Sequence, residues 1–199
     1  MRYDVLGALM LFTLVAGITP GPNNLMLMAS GVNFGFRRTL PHLLGVCLGF
    51  PAMVALVGIG LDAIFSHFPG FLSMLRYVSV AYLVWLAWKI AAAGPAHEAD
   101  ATKKPLGFLG AAAFQWVNPK GWVMAVSALT SYTAMPDYAH SAAIIVIVFL
   151  VLAFPASGVW VLGGAALRPM LRDPKRVRPF NLAMAALLLA SIVPVLFER

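Results

Sequence analysis

The chain has 199 residues, of which 61% are hydrophobic and 11% are charged. Soluble domains are about 45–50% apolar and about 25% charged, and disordered chains are poorer still in apolar residues, so the composition excludes both classes. The apolar runs are continuous rather than alternating, which argues against a transmembrane β-barrel. The sequence therefore predicts an all-α integral membrane protein.

Six apolar segments follow one another along the chain, each close to the length of about 20 residues that spans a bilayer. The six predicted spans are 5–30, 40–65, 69–92, 106–130, 142–167 and 180–197. Polar and helix-breaking residues interrupt the first span at 19–24 and the fourth at 118–120. The first span has no clean cleavage site before its break, so we expect a membrane helix there rather than a signal peptide.

The positive charges are concentrated in alternate loops. Ten of the 14 lysines and arginines lie in or beside the first, third and fifth loops, and none lies in the second or fourth. These ten are Arg37, Arg38, Lys89, Lys103, Lys104, Arg168, Arg172, Lys175, Arg176 and Arg178. Because positive loops stay in the cytoplasm, we expect a multi-pass protein with both termini outside. The same distribution accounts for the net charge of +7 without a nucleic-acid partner.

Three spans in each half place the second half in the opposite orientation to the first, an arrangement found in transporters. The interrupted segment is the first of each half, and Phe-Pro-Ala occurs in the second of each, at 50–52 and 154–156. We predict a single membrane domain, 1–199, built from inverted three-helix repeats 1–92 and 106–199 with a cytoplasmic linker 93–105.

Prolines mark both predicted breaks. Pro20 and Pro22 flank Gly21, and Asn118 precedes Pro119 as an N-cap residue precedes the first helical position. Freed backbone groups cost several kcal/mol in lipid, so the broken segments should face a cavity. A restarted helix presents free N–H groups that suit a carboxylate. We predict that Pro20, Pro22 and Pro119 act as hinges around a substrate site, the alternative being packing kinks.

Two cations are predicted to lie within the membrane, Arg76 in the third span and Lys120 at the second break. Such charges usually face a cavity or an oppositely charged partner, and Asp62 and Asp137 are candidate partners. The alternative is that both cationic side chains extend to the outer headgroups. No acidic residue lies deep in a predicted span, so no carboxylate proton relay is visible. The predicted substrate site comprises Thr19, Gly21, Asn23, Asn24, Arg76, Gln115, Asn118 and Lys120.

The segment Thr19-Pro20-Gly21-Pro22-Asn23 resembles the signature of the LysE/RhtB family of amino-acid exporters. Two further groups of residues fit the family: Tyr82, Leu83, Trp85, Trp88 and Lys89 in the third span, and Phe108, Gly110, Phe114, Asn118, Pro119 and Lys120 in the fourth. The likeness covers the whole chain, although Val80-Ala81 stands where members often have Gly-Ala. The resemblance implies a secondary transporter in the bacterial cytoplasmic (inner) membrane. It would export an amino acid or a related small metabolite, driven by the proton gradient.

Two other functions are less well supported by the sequence. A metal-cation exporter would need acidic or thiol ligands, whereas the deep charges are positive and Cys47 is the only cysteine. An intramembrane enzyme could use Ser127 with Lys120, but seven helical residues separate them by about 10 Å along the axis. We therefore expect a transporter and not an enzyme, with no cofactor. The expected partners are a small-molecule substrate and membrane lipid, and homo-oligomerisation is left open.

Overall fold

A computed structural model describes residues 1–67, 70–92, 104–133, 137–172, 174–191 and 193, with the side chains of 61–67, 71–73, 75–76, 172 and 174 outside the description. Within these ranges the chain is helical and has no strand, so the prediction of an all-α protein is confirmed. The helices are α1 (Tyr3–Ile18), α2 (Pro22–His67), α3 (Phe71–Ala91), α4 (Phe108–Phe114), α5 (Pro119–Ser131), α6 (Tyr138–Leu167) and α7 (Pro174–Ala190). Short 3-10 turns occupy Gln115–Val117 and Met170–Arg172.

Both predicted helix breaks are present. The helical path stops after Ile18 and resumes at Pro22, which separates α1 from α2. It stops again at Asn118, between the 3-10 turn that follows α4 and the start of α5. Pro119 occupies the first turn of α5, as expected for a residue whose missing N–H would have no helical partner there.

The loop predicted between the first two spans is instead a one-residue kink within α2. Gly35 has φ 76° and ψ 172°, a left-handed backbone conformation that favours glycine. The Ser30 hydroxyl lies 2.9 Å from His42 Nδ1, whereas twelve residues of straight helix would separate them by about 18 Å. The two legs of α2 therefore fold back on each other. A Cβ at Gly35 would lie 2.8 Å from Arg168 Nη1, so a side chain there would also displace the guanidinium.

Two of the described helices are long and apolar enough to cross a membrane, Pro22–Gly60 and Tyr138–Leu167. Three shorter apolar helices accompany them, Tyr3–Ile18, Tyr77–Ala91 and Phe108–Val117. The final predicted span, 180–197, extends beyond α7 into residues outside the description. The number of spans accordingly stays a prediction. Large apolar side chains lie on the surface of α6, for example Ile147 and Val151, as expected for a helix in a membrane.

The helices pack in pairs that an inverted repeat would produce. The first helix of each predicted half packs on the second helix of the other half, α1 on α6 and α4 on α2, while α3 packs on α7. Small residues allow the close packing of α1 on α6 and of α4 on α2. A Cβ at Gly17 would lie 3.0 Å from Ala156 Cβ, and one at Gly49 would lie 2.6 Å from Ala112 Cα.

The two Phe-Pro-Ala triplets do not occupy equivalent environments. Phe50 is 9% exposed and packs edge-on against Phe149, with ring centroids 5.0 Å apart. Phe154, in the second triplet, is 37% exposed. The triplets therefore give no support to the repeat, because equivalent positions should share the same burial.

Candidate substrate site

Side chains satisfy the carbonyl groups that the first break leaves free at the end of α1. Asn24 Nδ2 donates to Gly17 O at 2.6 Å and to Thr19 O at 2.9 Å. Trp160 Nε1, on α6, donates to Ile18 O at 3.2 Å. Because unpaired carbonyls are costly in a membrane, these contacts stabilise the open turn between α1 and α2.

The second break has a different construction. Asn118 is the N-cap residue of α5, but its side chain makes no capping hydrogen bond. Asn118 is 3% exposed, and its Oδ1 has no hydrogen-bond partner. Trp122 Nε1 instead satisfies the break by donating to Trp116 O at 3.0 Å. The break thus leaves a buried acceptor available for another group.

Lys120 connects the two breaks. Its Nζ donates to the backbone oxygen and to Oγ1 of Thr19, both at 2.8 Å. The ammonium group therefore lies at the carbonyl end of α1, where the helix dipole favours a cation. An ammonium has three donors, so these two bonds leave one for a further acceptor. The side chain also lies directly over Gly21, where a Cβ would come within 2.7 Å of Lys120 Cδ.

A second bridge joins the breaks beside Lys120. Asn23 Nδ2 donates to Gln115 Oε1 at 2.8 Å, and Gln115 Nε2 donates back to Asn23 Oδ1 at 3.2 Å. Gln115 Nε2 also donates to Ala111 O at 2.8 Å, which fixes the amide on α4. The reciprocal amide pair holds the start of α2 against the end of α4.

A cavity opens where the two breaks meet, with an empty volume of about 560 Å³ including its mouth. Asn23 and Asn24 line it from the first turn of α2, and Lys120 and Gly121 line it from the first turn of α5. Two helix N-termini therefore point at one space, which is an arrangement suited to an anion. The remaining lining residues are Thr13, Ala16, Gly17, Gly21, Val46, Phe50, Asn118, Met124, Phe149, Leu152, Ala153, Ala156 and Ser157.

Most of the predicted site residues meet at this cavity, in two different roles. Gly21, Asn23, Asn24, Asn118 and Lys120 line it. Thr19 and Gln115 lie just outside and position Lys120 and Asn23.

Arg76 was also predicted to be a site residue, but its side chain is among those that the structure does not describe. The same holds for its candidate partner Asp62. The other candidate partner, Asp137, is exposed at the start of α6. Lys120 makes its hydrogen bonds with Thr19 rather than with a carboxylate.

Sequence reasoning missed the residues that close the cavity from α1, α2 and α6. Phe50 and Phe149 form an apolar wall, while Thr13 and Ser157 add hydroxyl groups. Thr13 had a signal in the sequence, since it is a polar residue within the apolar run before the first break. The phenylalanines had none, because nothing distinguishes them from the many other apolar residues of the spans.

An all-α chain whose two broken helices meet around a cavity has the architecture of a membrane translocator. The sequence profile of the LysE type translocators matches residues 14–196. The chain belongs to this family.

Curated relatives agree with this assignment. The cysteine/O-acetylserine efflux proteins of Escherichia coli (strain K12) and Shigella sonnei (strain Ss046) are each 32% identical to the chain over 199 residues, which is 99% of this chain and all of each relative. The protein of the same name from Salmonella choleraesuis (strain SC-B67) is 32% identical over 195 residues, 97% of this chain and 98% of its own. No solved structure matches the chain. The chain is accordingly a transporter of the LysE family and not an enzyme.

Proposed function

We propose that the protein exports a small neutral amino acid from the cytoplasm, of the kind that the names of its relatives give as cysteine and O-acetylserine. The observation that carries the proposal is the position of Lys120, whose ammonium group is held between two helix breaks at a cavity.

The cavity offers complementary groups to both charges of an amino acid. The remaining donor of Lys120 and the N–H groups at the starts of α2 and α5 suit the carboxylate. The unpaired Asn118 Oδ1 is an acceptor for the α-ammonium group. No acidic side chain is among the described lining residues, so a second positive charge on the substrate would have no partner. This favours a neutral substrate over a basic one.

The lining disfavours the metal-cation alternative. The described residues around the cavity include no carboxylate, thiol or imidazole, and Lys120 adds a positive charge. Divalent metal ions would lack ligands and would be repelled there.

The proposed setting is the bacterial inner membrane, crossed six times with both termini outside. The alternating positive loops support the orientation, and the packing of α1 on α6 and of α4 on α2 supports an inverted repeat. In such transporters the two halves rock around a fixed central site. We take the proton gradient as the driving force, on the family resemblance alone.

Purified protein in liposomes tests the proposed function. Vesicles loaded with unlabelled L-cysteine or O-acetyl-L-serine, under reducing conditions, should accumulate the same labelled amino acid by counterflow. Vesicles loaded with L-lysine should not, because the cavity lacks an acidic partner. Absence of counterflow with every neutral amino acid, from protein that remains monodisperse, would contradict the proposal.

A further inference from the structure

Thr13 has an unpaired hydroxyl group in the wall of the cavity. The residue lies on α1, is 3% exposed, and its Oγ1 has no hydrogen-bond partner. Burying a hydroxyl without a partner costs free energy, so this group is expected to find one during the working cycle.

The other described threonines behave differently. A helical threonine commonly donates to the carbonyl group three or four residues earlier. Thr19, Thr39, Thr130 and Thr133 all donate in this way, to Ala16 O, Gly35 O, Val126 O and Leu129 O respectively. Thr13 is the exception among them, and it is also the one that lines the cavity.

The remaining polar side chains of the lining have other tasks. Asn23 is paired with Gln115, Asn24 with the end of α1, and Ser157 with the buried Cys47. Asn118 Oδ1 is the only other lining side-chain atom that is buried without a partner among the described residues, and it suits the α-ammonium group. A polar atom elsewhere on the substrate would therefore meet Thr13.

The position of Thr13 on α1 bears on which part of a ligand can reach it. Six residues separate Thr13 from Thr19, to which Lys120 is bound, a rise of about 9 Å along the axis. A ligand whose carboxylate is bound at Lys120 would therefore contact Thr13 through its side chain. In serine, cysteine and O-acetylserine the first polar atom of the side chain is the oxygen or sulfur at the γ position.

We infer that Thr13 determines specificity by hydrogen bonding to an oxygen or sulfur atom at the γ position of a short substrate side chain. The inference rests on the proposed function, and it places serine, cysteine and O-acylated serine in one substrate class. Amino acids with a methyl group in that position would leave the Thr13 hydroxyl unpaired and should be poorer substrates.

Counterflow in liposomes with L-serine and L-2-aminobutyrate tests the inference, since the second compound has a methyl group in place of the hydroxyl. The unaltered chain should exchange serine faster than 2-aminobutyrate. In Thr13→Val the ratio of the two exchange rates should fall about five- to tenfold, which corresponds to the loss of one hydrogen bond. Thr13→Ser should keep it within about twofold, because the hydroxyl remains.

The two substrates separate a specificity role from a structural one. Exchange of 2-aminobutyrate by Thr13→Val reports that the variant is folded, and Thr130→Val, at an exposed threonine on α5, is the matched control. An unchanged preference in Thr13→Val, or an equal loss of both substrates, would overturn the inference while leaving the proposed function intact. No exchange of any amino acid by the unaltered chain would contradict the proposed function and the inference with it.

Discussion

Lys120 reaches across to another helix rather than along its own. Two of its donors are bound to Thr19, at the carbonyl end of α1. An extended side chain that reached the outer headgroups would not make these bonds, so the described contacts favour a role at the cavity over snorkelling. The partners are neutral, which leaves the positive charge uncompensated and able to attract an anionic group.

The glycine beneath Lys120 gives a prediction at the scale of one residue. In Gly21→Ala the new Cβ would lie 2.7 Å from Lys120 Cδ and 3.2 Å from its Nζ, so the lysine side chain must shift. We expect counterflow of L-cysteine to fall at least about tenfold, since a displacement of about 1 Å at a site can cost about a hundredfold.

A matched glycine controls for the substitution itself. Gly158 lies on α6, and a Cβ there would have no neighbour within 4 Å. Gly158→Ala should keep counterflow within about twofold, because it adds no clash and improves helix propensity. Normal counterflow by Gly21→Ala would show that the position of Lys120 is unimportant.

Side-chain hydrogen bonds stabilise both helix breaks, with Trp122 Nε1 donating to Trp116 O at the second. Trp160 on α6 and Asn24 on α2 satisfy the end of α1. The prolines prevent continuation of the helix, and the polar contacts make the open turn stable in an apolar medium. A break stabilised in this way keeps two helix N-termini directed at the cavity.

Removal of the prolines gives a prediction at the scale of the element. Replacing both Pro20 and Pro22 by alanine should allow α1 and α2 to join, since each proline disfavours a helix interior by about 3 kcal/mol. Counterflow should fall sharply while the amount of protein in the membrane stays the same, as measured by immunoblot. Pro41→Ala, at an exposed proline within α2, should leave counterflow near normal. Full activity of the double variant would reduce the break to a packing kink.

The sequence predicted these breaks correctly because proline and glycine act on the local backbone. The same reasoning missed the kink at Gly35, where a single residue with positive φ replaces a loop. Nothing in the sequence distinguishes this glycine from the others, since the requirement comes from the fold-back that brings Ser30 to His42. The cavity wall at Phe149 was likewise unpredictable, because it depends on which helices pack together.

The arrangement of helices in the whole molecule places both breaks at the same point. α1 packs on α6, α4 packs on α2, and the amide pair of Asn23 with Gln115 joins the two predicted halves. Residues from both predicted halves line the cavity, so neither would enclose it alone. Such a central site is what alternating access requires.

Topology gives a prediction at the scale of the whole molecule. A reporter fused after Arg199 should report the periplasm, and one inserted beside Lys104 should report the cytoplasm, because the basic residues concentrate in the first, third and fifth loops. Alkaline phosphatase and green fluorescent protein report the two compartments respectively. Cytoplasmic signals from both fusions would require an even number of spans after Lys104, where the inverted repeat has three, and would contradict it.

The most direct test of the central claim is the exchange of L-cysteine by Lys120→Gln, with cysteamine, which lacks the carboxylate, as competitor. The claim is that Lys120 binds the substrate carboxylate. Loss of its charge should therefore lower cysteine exchange at least about tenfold. In this variant cysteamine should compete as well as unlabelled cysteine does, whereas in the unaltered chain it should compete less well. Lys120→Arg should keep partial exchange, and Lys104→Gln, at an exposed lysine, should be normal. Unchanged cysteine exchange by Lys120→Gln would contradict the claim.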